Sequence, residues 1–441
     1  MNAEASSDIR ASAPELATGP VSGAERFFSL DALRGVAVLG ILVMNIYAFA
    51  MPFNAYTNPL AMGGTDPLNL GTWFFTHILF DQKFMSIFSM MFGAGIVLMS
   101  ERAKAKGAKF GRIFYRRSLW LLVIGLIHAY LIWFGDILFF YAAVGMIVYL
   151  FRNLSPRTLI ITGCLVLPVA LLVSYAGGVY MVELKARAEA LEQQLAAGET
   201  LSEEDQATVD EWTEARGFML PGSEELEKDL VAYSGDYIGI LKHRAPFVSS
   251  FQFEGLPFFI LWRVGGLMLI GMGLMKLGVF SGARDARFYR NLMLVGYILG
   301  LPLTIYSSVN LYAHQFDALY TFKVGTIPNY FGSVLVSFGH VGLVMLITTD
   351  GALRSLLDRF AAVGRTALSN YLMHSVVMTT LFYGYGIGLY GMIPRFWQMA
   401  FVAGLIGVQL LLSPWWLARY RFGPVEWLWR SATYWQWQPM R

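Results

Sequence analysis

The chain reads as an all-α polytopic membrane protein with about ten transmembrane helices, both termini cytoplasmic and a helical extracytoplasmic insertion. Three observations predict this. Hydrophobic residues make up 56% of the 441 positions and charged residues only 14%, against roughly 25% charged in soluble domains. The apolar residues fall in runs close to the roughly 20 that a helix needs to cross a bilayer. The basic residues gather in alternate connections between those runs, as the positive-inside rule requires. These features exclude soluble enzymes, secreted disulfide scaffolds and nucleic-acid readers, so membrane lipids are expected around the chain and no nucleic acid. Cys164, the single cysteine, lies in an apolar run, which removes disulfides and thiolate metal clusters.

Taken in order, residues 1–25 are rich in Ala, Ser, Gly and Pro and lack an apolar h-region, so a disordered cytoplasmic tail is expected rather than a signal or transit peptide. The runs 33–51, 72–100, 117–135, 136–152 and 157–182 form an N-terminal transmembrane bundle over 26–182. The fourth run is short, and the second is polar in its middle. Residues 183–255 form a periplasmic insertion, of which 183–230 carries fourteen acidic and four basic side chains. Ala and Leu recur there at helical spacing, followed by the capping-box pattern Ser202 to Asp205. The segment reads as a solvated acidic hairpin, with a partner-binding surface as the alternative. The runs 256–280, 288–308, 328–348, 366–387 and 395–417 form a C-terminal bundle over 256–417. Residues 418–441 are expected to be an interfacial cytoplasmic segment anchored by Trp427, Trp429, Trp435 and Trp437.

Charge sets the orientation. The connection 101–117 holds Arg102, Lys104, Lys106, Lys109, Arg112, Arg116 and Arg117, whereas 52–71 holds no Lys or Arg. The first is therefore cytoplasmic and the second outside. Arg152 and Arg157, then Arg284, Arg287 and Arg290, then Arg354, Arg359 and Arg365, and finally Arg419, Arg421 and Arg430 all fall on the cytoplasmic side of this arrangement.

Ionisable groups inside spans are costly and face a bundle interior or a water-filled cavity. With about 1.5 Å of rise per residue, Asp81 and Lys83 lie roughly 14–16 Å below the outer surface, His128 about 12 Å, Asn45 and Arg263 roughly 10 Å, and His340 about 16 Å. A polar chamber in the outer-to-middle zone is expected from these six residues of five spans. Each also has a plainer reading. Asp81 could pair structurally with Arg263, and His77 with Asp81 at i,i+4 is spacing that also arises by chance. Asp81 and Lys83, two residues apart, cannot pair directly unless the helix breaks between them. His128, His340 and His374 could be hydrogen-bonded packing histidines. Without HExxH or CxxC spacing, no metal centre is expected. Gly93-Ala94-Gly95, Gly265-Gly266 and Gly271-Met272-Gly273 lack a Walker lysine and follow no strand, so they read as close helix contacts.

A series of short motifs runs along the chain, beginning with Leu30-Asp31-Ala32-Leu33-Arg34-Gly35, Gly40-Ile41 and Asn45, then Lys83-Phe84, Phe88-Ser89 and Phe92-Gly93-Ala94-Gly95. Gly125, His128, Gly135-Asp136-Ile137-Leu138 and Tyr141 follow, then Met268-Leu269-Ile270-Gly271, Gly364-Arg365 and Ala367-Leu368-Ser369-Asn370-Tyr371-Leu372. The last is Gly423-Pro424-Val425-Glu426-Trp427-Leu428-Trp429-Arg430. Taken together, these motifs resemble the YeiB-type bacterial inner-membrane proteins, a family labelled a domain of unknown function. The resemblance implies a multi-pass protein of the bacterial inner membrane. The family in turn resembles membrane acyltransferases, among them heparan-α-glucosaminide N-acetyltransferase and the bacterial polysaccharide O-acyltransferases, through the Leu-Asp-x-x-Arg-Gly type of opening. That likeness implies acyl transfer from cytoplasmic acyl-CoA, a co-substrate rather than a resident cofactor, to an envelope acceptor such as a sugar. Those relatives place their histidine near the end of the first span or before the second, where this chain offers only His77.

Acyl transfer needs a donor site, an activated acceptor and stabilisation of an oxyanion. The expected parts are His128 as base or acyl carrier, with Asp136 or Asp81 holding its tautomer, and Asn45, Lys83, Arg263 and Tyr141 towards the substrate. Asp136 lies about 12 Å along the helix from His128 and reaches it only if the turn at Gly135 folds back. Asp31, Arg34, Arg117, Arg365 and Asn370 are expected at the CoA site, with Arg116 at the same level. Asp31 and Arg34, three apart, also suit a simple structural pair. Two other classes compete: a transporter or flippase using the same chamber for substrate or protons, and a non-catalytic scaffold or sensor whose insertion binds a partner. The oligomeric state is left open, with a homo-oligomer compatible.

Overall fold

The computed structural model describes residues 27–107, 110–219, 223–351 and 353–441, and every regular element among them is helical. The expected N-terminal tail lies outside the described residues. In chain order the first helices are α1 (Phe28–Ala50), α2 (Phe53–Thr57), α3 (Pro67–Leu79), α4 (Lys83–Ala105), α5 (Gly111–Ile127) and α6 (Leu138–Val148). Next come α7 (Pro156–Ala196), α8 (Glu203–Met219), α9 (Ser223–Tyr233) and α10 (Tyr237–Phe253). The last are α11 (Leu261–Lys276), α12 (Ala286–Ala313), α13 (Ala318–Tyr320), α14 (Ile327–Asp350), α15 (Arg354–Arg365), α16 (Ala367–Phe382), α17 (Arg395–Leu417) and α18 (Pro424–Tyr434), and α4 and α1 pack against α11 and α15 in one bundle. Short acceptor side chains start several of them. Asp66, Ser155, Asp236 and Asp285 accept from backbone N–H groups in the first turns of α3, α7, α10 and α12, satisfying donors that a helix cannot satisfy itself.

Eight helical stretches among the described residues are long and apolar enough to cross a membrane: 28–50, 67–105, 111–132, 156–196, 237–276, 286–313, 327–350 and 395–417. The protein is thus a polytopic helical membrane protein. The other two runs expected to span correspond to shorter helices, the apolar stretch 138–151 and the 16-residue α16. Two boundaries differ from the sequence expectation. The helix α7 runs unbroken for 41 residues through position 182, where the composition changes, to Ala196. Helix α10 begins at Tyr237 and passes into α11 through a π-helical turn at Leu256–Ile260. Ser202 does cap α8, its hydroxyl accepting from Asp205 N at 3.1 Å and bonding the Asp205 carboxylate at 2.7 Å.

Lipid tails are as apolar as leucine, so close backbone packing rather than water exclusion holds such helices together. Helix α1 is the axis of the bundle, with Leu33, Ala37, Leu42, Ile46 and Phe49 fully buried among α4, α15, α16 and α17. Glycine makes the tightest crossings. A Cβ at Gly93 of α4 would overlap the Met268 carbonyl of α11, and one at Gly271 of α11 would overlap the Met90 carbonyl of α4. Gly35 and Gly364 make the same reciprocal contact between α1 and α15, against Phe360 O and Asp31 O.

The polar middle of the second run is a true break. Helix α3 ends at Leu79, Gln82 adopts φ 61°, and α4 starts at Lys83. In hydrocarbon the carbonyls freed by a break must find other donors. Lys83 Nζ donates to His77 O at 2.7 Å, and His340 Nε2 donates to Leu79 O at 2.9 Å. Two expected chamber residues are therefore occupied in closing the break.

Candidate functional site

The polar residues expected in one chamber are distributed over separate buried clusters. Around the break, Asn329 of α14 bridges Asp81 and Lys83: its Nδ2 donates to Asp81 Oδ2 at 2.8 Å and its Oδ1 accepts from Lys83 Nζ at 2.9 Å. His77 Nδ1 lies 3.5 Å from Asp81 Oδ2. Arg263 does not join them. It donates to Ser86 Oγ at 3.2 Å, Ser333 Oγ at 2.9 Å and Tyr330 O at 3.2 Å, with its guanidinium over the Tyr330 ring. Asn45 sits half-buried on α1 and hydrogen-bonds to none of these side chains. His374 bonds Gln409 at 2.9 Å.

A second cluster surrounds His128. Helix α5 ends in a π-helical turn, His128–Ile132, after which Trp133 is extended and the chain folds back. The reversal brings Asp136 to His128, eight positions away, with Oδ1 2.8 Å from Nδ1. Asp136 Oδ2 accepts from Phe139 N at 2.7 Å in the first turn of α6. Gly125, one turn before His128, allows this: a Cβ there would meet Asp136 Oδ2 at 2.9 Å and overlap Phe139 N. On the other side of the ring, His128 Nε2 lies 2.8 Å from Ser375 Oγ of α16. A carboxylate only accepts, so Nδ1 carries a proton, and in the neutral imidazole Nε2 accepts from the Ser375 hydroxyl. All three residues are buried. Arg244 of α10 fixes the turn from behind, donating to Tyr130 O at 2.7 Å and Ile132 O at 2.6 Å. Asp81 stays with Asn329, so of the two carboxylates expected to orient His128 the structure brings Asp136. Ser375 was missed by the sequence reasoning, because a serine on an apolar helix carries no local signal. Only its tertiary position reveals it.

Beneath this cluster lies a cavity of ≈ 300 Å³, at the small end of the range for organic ligands. At one end it is bounded by Arg34, Arg102, Lys106, Arg117, Arg365 and Arg430, with Asp31 and Glu426 the only carboxylates among its described lining residues. At the other end are Ile137, Leu138, Tyr141 and Tyr371. Asp31 and Arg34 pair at 3.0 Å, as their spacing allows. Tyr141 belongs to the cavity wall, its hydroxyl 3.0 Å from Ser89 Oγ and donating to Met85 O at 3.2 Å. Asn370, expected at the CoA site, is instead a helix brace, donating to Thr366 Oγ1 at 2.8 Å and Ser413 Oγ at 3.1 Å. Trp429 also departs from its expected anchoring role. It lines the cavity, donates to Arg117 O at 2.9 Å and stacks under the Arg117 guanidinium at 3.6 Å, whereas Trp435 and Trp437 are exposed.

Tyr371 links cavity and cluster. Its hydroxyl donates to Gly135 O at 3.2 Å and accepts from Ile137 N at 3.3 Å, and its ring lies 5.3 Å from that of His128. Glu426 closes the basic end, accepting from Leu368 N, Ser369 N and Ser369 Oγ. Burial pushes its carboxyl above the ordinary glutamate range, while those hydrogen bonds pull against the shift. Among the described residues, no three His, Cys, Asp or Glu side chains stand where one metal ion could be held.

The fold thus holds a buried His–Asp–Ser cluster near a basic-ended cavity inside a multi-pass helical bundle. The family described as Protein of unknown function (DUF418) matches residues 274–436, which include Ser375 and Glu426. The uncharacterized protein YxaH of Bacillus subtilis (strain 168) is 30% identical, over 94% of this chain and 96% of its own. The uncharacterized protein YeiB of Escherichia coli (strain K12) is 31% identical, over 93% and 96%. No solved structure matches the chain. The chain belongs to the family of these YeiB-type, DUF418-containing membrane proteins.

Proposed function

We propose that the protein is an acyltransferase of the bacterial inner membrane, taking an acyl group from cytoplasmic acyl-CoA to an acceptor, a sugar or another envelope molecule, on the outer side. The observation that carries this reading is the cavity. Its basic end matches the polyanionic nucleotide part of CoA, and its inner end is bounded largely by apolar and aromatic side chains that suit an acyl-pantetheine arm. That inner end stops at Tyr371, one side chain from His128. The positive-inside rule makes the basic end cytoplasmic. His128, oriented by Asp136 through Nδ1, presents towards Ser375 the Nε2 lone pair that a general base needs.

One observation favours transport instead. Discontinuous helices at membrane depth are where many transporters bind ions, and α3 and α4 are separated by such a break beside Asp81. Lys83 and His340, however, are engaged in satisfying the freed carbonyls there, which favours a structural break.

Binding of acetyl-CoA and octanoyl-CoA to purified protein in detergent tests the proposal, comparing wild type with Arg34→Ala and Arg117→Ala. Micromolar binding is expected, weakened about 10-fold or more in each variant, since a hydrogen bond to a charged group contributes roughly 1.5–3 kcal/mol. No binding of either thioester overturns it.

A further inference from the structure

We propose that Ser375 is a nucleophile that carries the acyl group covalently, making Asp136, His128 and Ser375 a catalytic triad. This rests on the acyl-transfer reading. Serine hydroxyls in membrane helices ordinarily donate to the carbonyl one turn back, and Ser86, Ser89, Ser308 and Ser337 do so, to Gln82 O, Met85 O, Thr304 O and Ser333 O. Ser375 instead donates across the bundle to His128 Nε2 at 2.8 Å, 247 positions away in the chain. The histidine tautomer required for that bond is enforced. Both Asp136 oxygens are committed, one to Nδ1–H and one to Phe139 N–H, so the neutral imidazole turns its Nε2 lone pair to the hydroxyl. Nucleophile, base and orienter thus stand in sequence at 2.8 Å each, the geometry by which such triads are recognised irrespective of fold. The π-helical turn that presents His128 is of a kind frequent at functional sites. Tyr371, one turn before Ser375 on α16, lines the cavity, so the thioester's approach ends one helical turn from the buried serine.

The chemistry balances without further reactants. Ser375 Oγ attacks the thioester carbonyl carbon while its proton passes to His128 Nε2. The C–S bond then breaks, and the departing sulfur takes that proton and leaves as CoA thiol. An acceptor hydroxyl or amine next gives its proton to His128 Nε2 and attacks the Ser375 ester. As the ester C–O bond breaks, Ser375 Oγ recovers the proton. Asp136, hydrogen-bonded to Nδ1, stabilises the transient imidazolium.

The test is the adduct itself. Purified protein is incubated with acetyl-CoA, quenched in acid and mapped by peptide mass spectrometry, with release of free CoA followed in parallel. Wild type is expected to carry an acetyl ester on Ser375 that is lost in Ser375→Ala and His128→Ala. CoA release should fall about 10³-fold or more in both. Ser375→Cys, which keeps the side chain's size, is expected to trap a hydroxylamine-labile thioester. A fluorophosphonate probe serves as the arm independent of CoA, and should label Ser375 in wild type but not in His128→Ala. Acetyl-CoA bound and cleaved with no adduct on Ser375, or equally well by Ser375→Ala, overturns the nucleophile and leaves the acyl-transfer reading intact. Fluorophosphonate labelling without any acyl-CoA binding overturns the acyl-CoA reading and retains the nucleophile. Neither labelling nor adduct overturns the triad.

Discussion

Glu426 of α18 caps the start of α16 through Ser369: its carboxylate accepts from the Ser369 amide at 3.1 Å and from the Ser369 hydroxyl at 2.5 Å. A carboxylate at a helix N-terminus meets unsatisfied N–H groups and the positive end of the helix dipole. The C-terminal motif thereby fixes the first turn of the helix that bears Tyr371 and Ser375. Glu426→Ala should lower stability by about 1–3 kcal/mol, read as a drop in thermal midpoint in detergent. Burial raises the Glu426 pKa, so the folded state holds its proton more tightly than the unfolded chain does. The stability it contributes is then present below the ordinary glutamate pKa and lost as pH rises through the raised value. Glu426→Gln should abolish that slope, and an unchanged pH profile of the midpoint would refute it.

Asp136→Asn preserves the shape of the turn but replaces an obligate acceptor by an amide. If the amide nitrogen turns towards His128, the Nδ1 lone pair is the only partner it can find, and the imidazole proton moves to Nε2. That is the wrong tautomer for accepting from Ser375. Turnover should fall by roughly 10³–10⁴-fold with acyl-CoA affinity retained. Parallel measurement of affinity and turnover separates this from general misfolding.

Lys83 is expected from the sequence to face the substrate, whereas its Nζ closes the helix break through His77 O and Asn329 Oδ1. Lys83→Met should therefore cost about 1.5–3 kcal/mol, the scale of a hydrogen bond made by a charged group. Turnover per folded molecule should be unaffected. A fall in turnover at unchanged stability would return Lys83 to the chemistry.

The reciprocal crossing of α4 and α11 makes a prediction about coupling. Gly93→Ala and Gly271→Ala each force backbone apart and should each cost about 1–3 kcal/mol. Once the helices have separated for one methyl, the second is accommodated in the same movement. The double variant should then be less destabilised than the sum of the singles, and strict additivity of thermal denaturation data would argue against the shared contact.

What the sequence made legible follows from what is local. Hydropathy runs act within a single helix, so the polytopic helical class could be read directly. The Asp31–Arg34 pair and the Ser202–Asp205 cap were legible for the same reason, as their partners are three residues apart. Depth along a helix could also be counted, but depth does not say which face a residue occupies. Asp81, His128 and Arg263 lie at comparable levels yet have different neighbours. The helix break at Gln82 and the return of Asp136 depend on backbone conformations with no strong local signature. Ser375 and Asn329 are ordinary residues of apolar helices, and their partners lie about 250 positions away.

The order in which the chain is made has a bearing on when the site exists. Arg244, which clamps the turn bearing His128, follows Tyr130 by 114 residues and Ile132 by 112. Ser375 follows His128 by 247, and Glu426 later still seats the helix that carries it. During synthesis the histidine therefore emerges long before its support and its partner. A ribosome-bound or truncated chain holds an incomplete cluster, and only nearly full-length molecules can assemble it. Premature termination anywhere before α18 should yield inert protein rather than a partly active fragment.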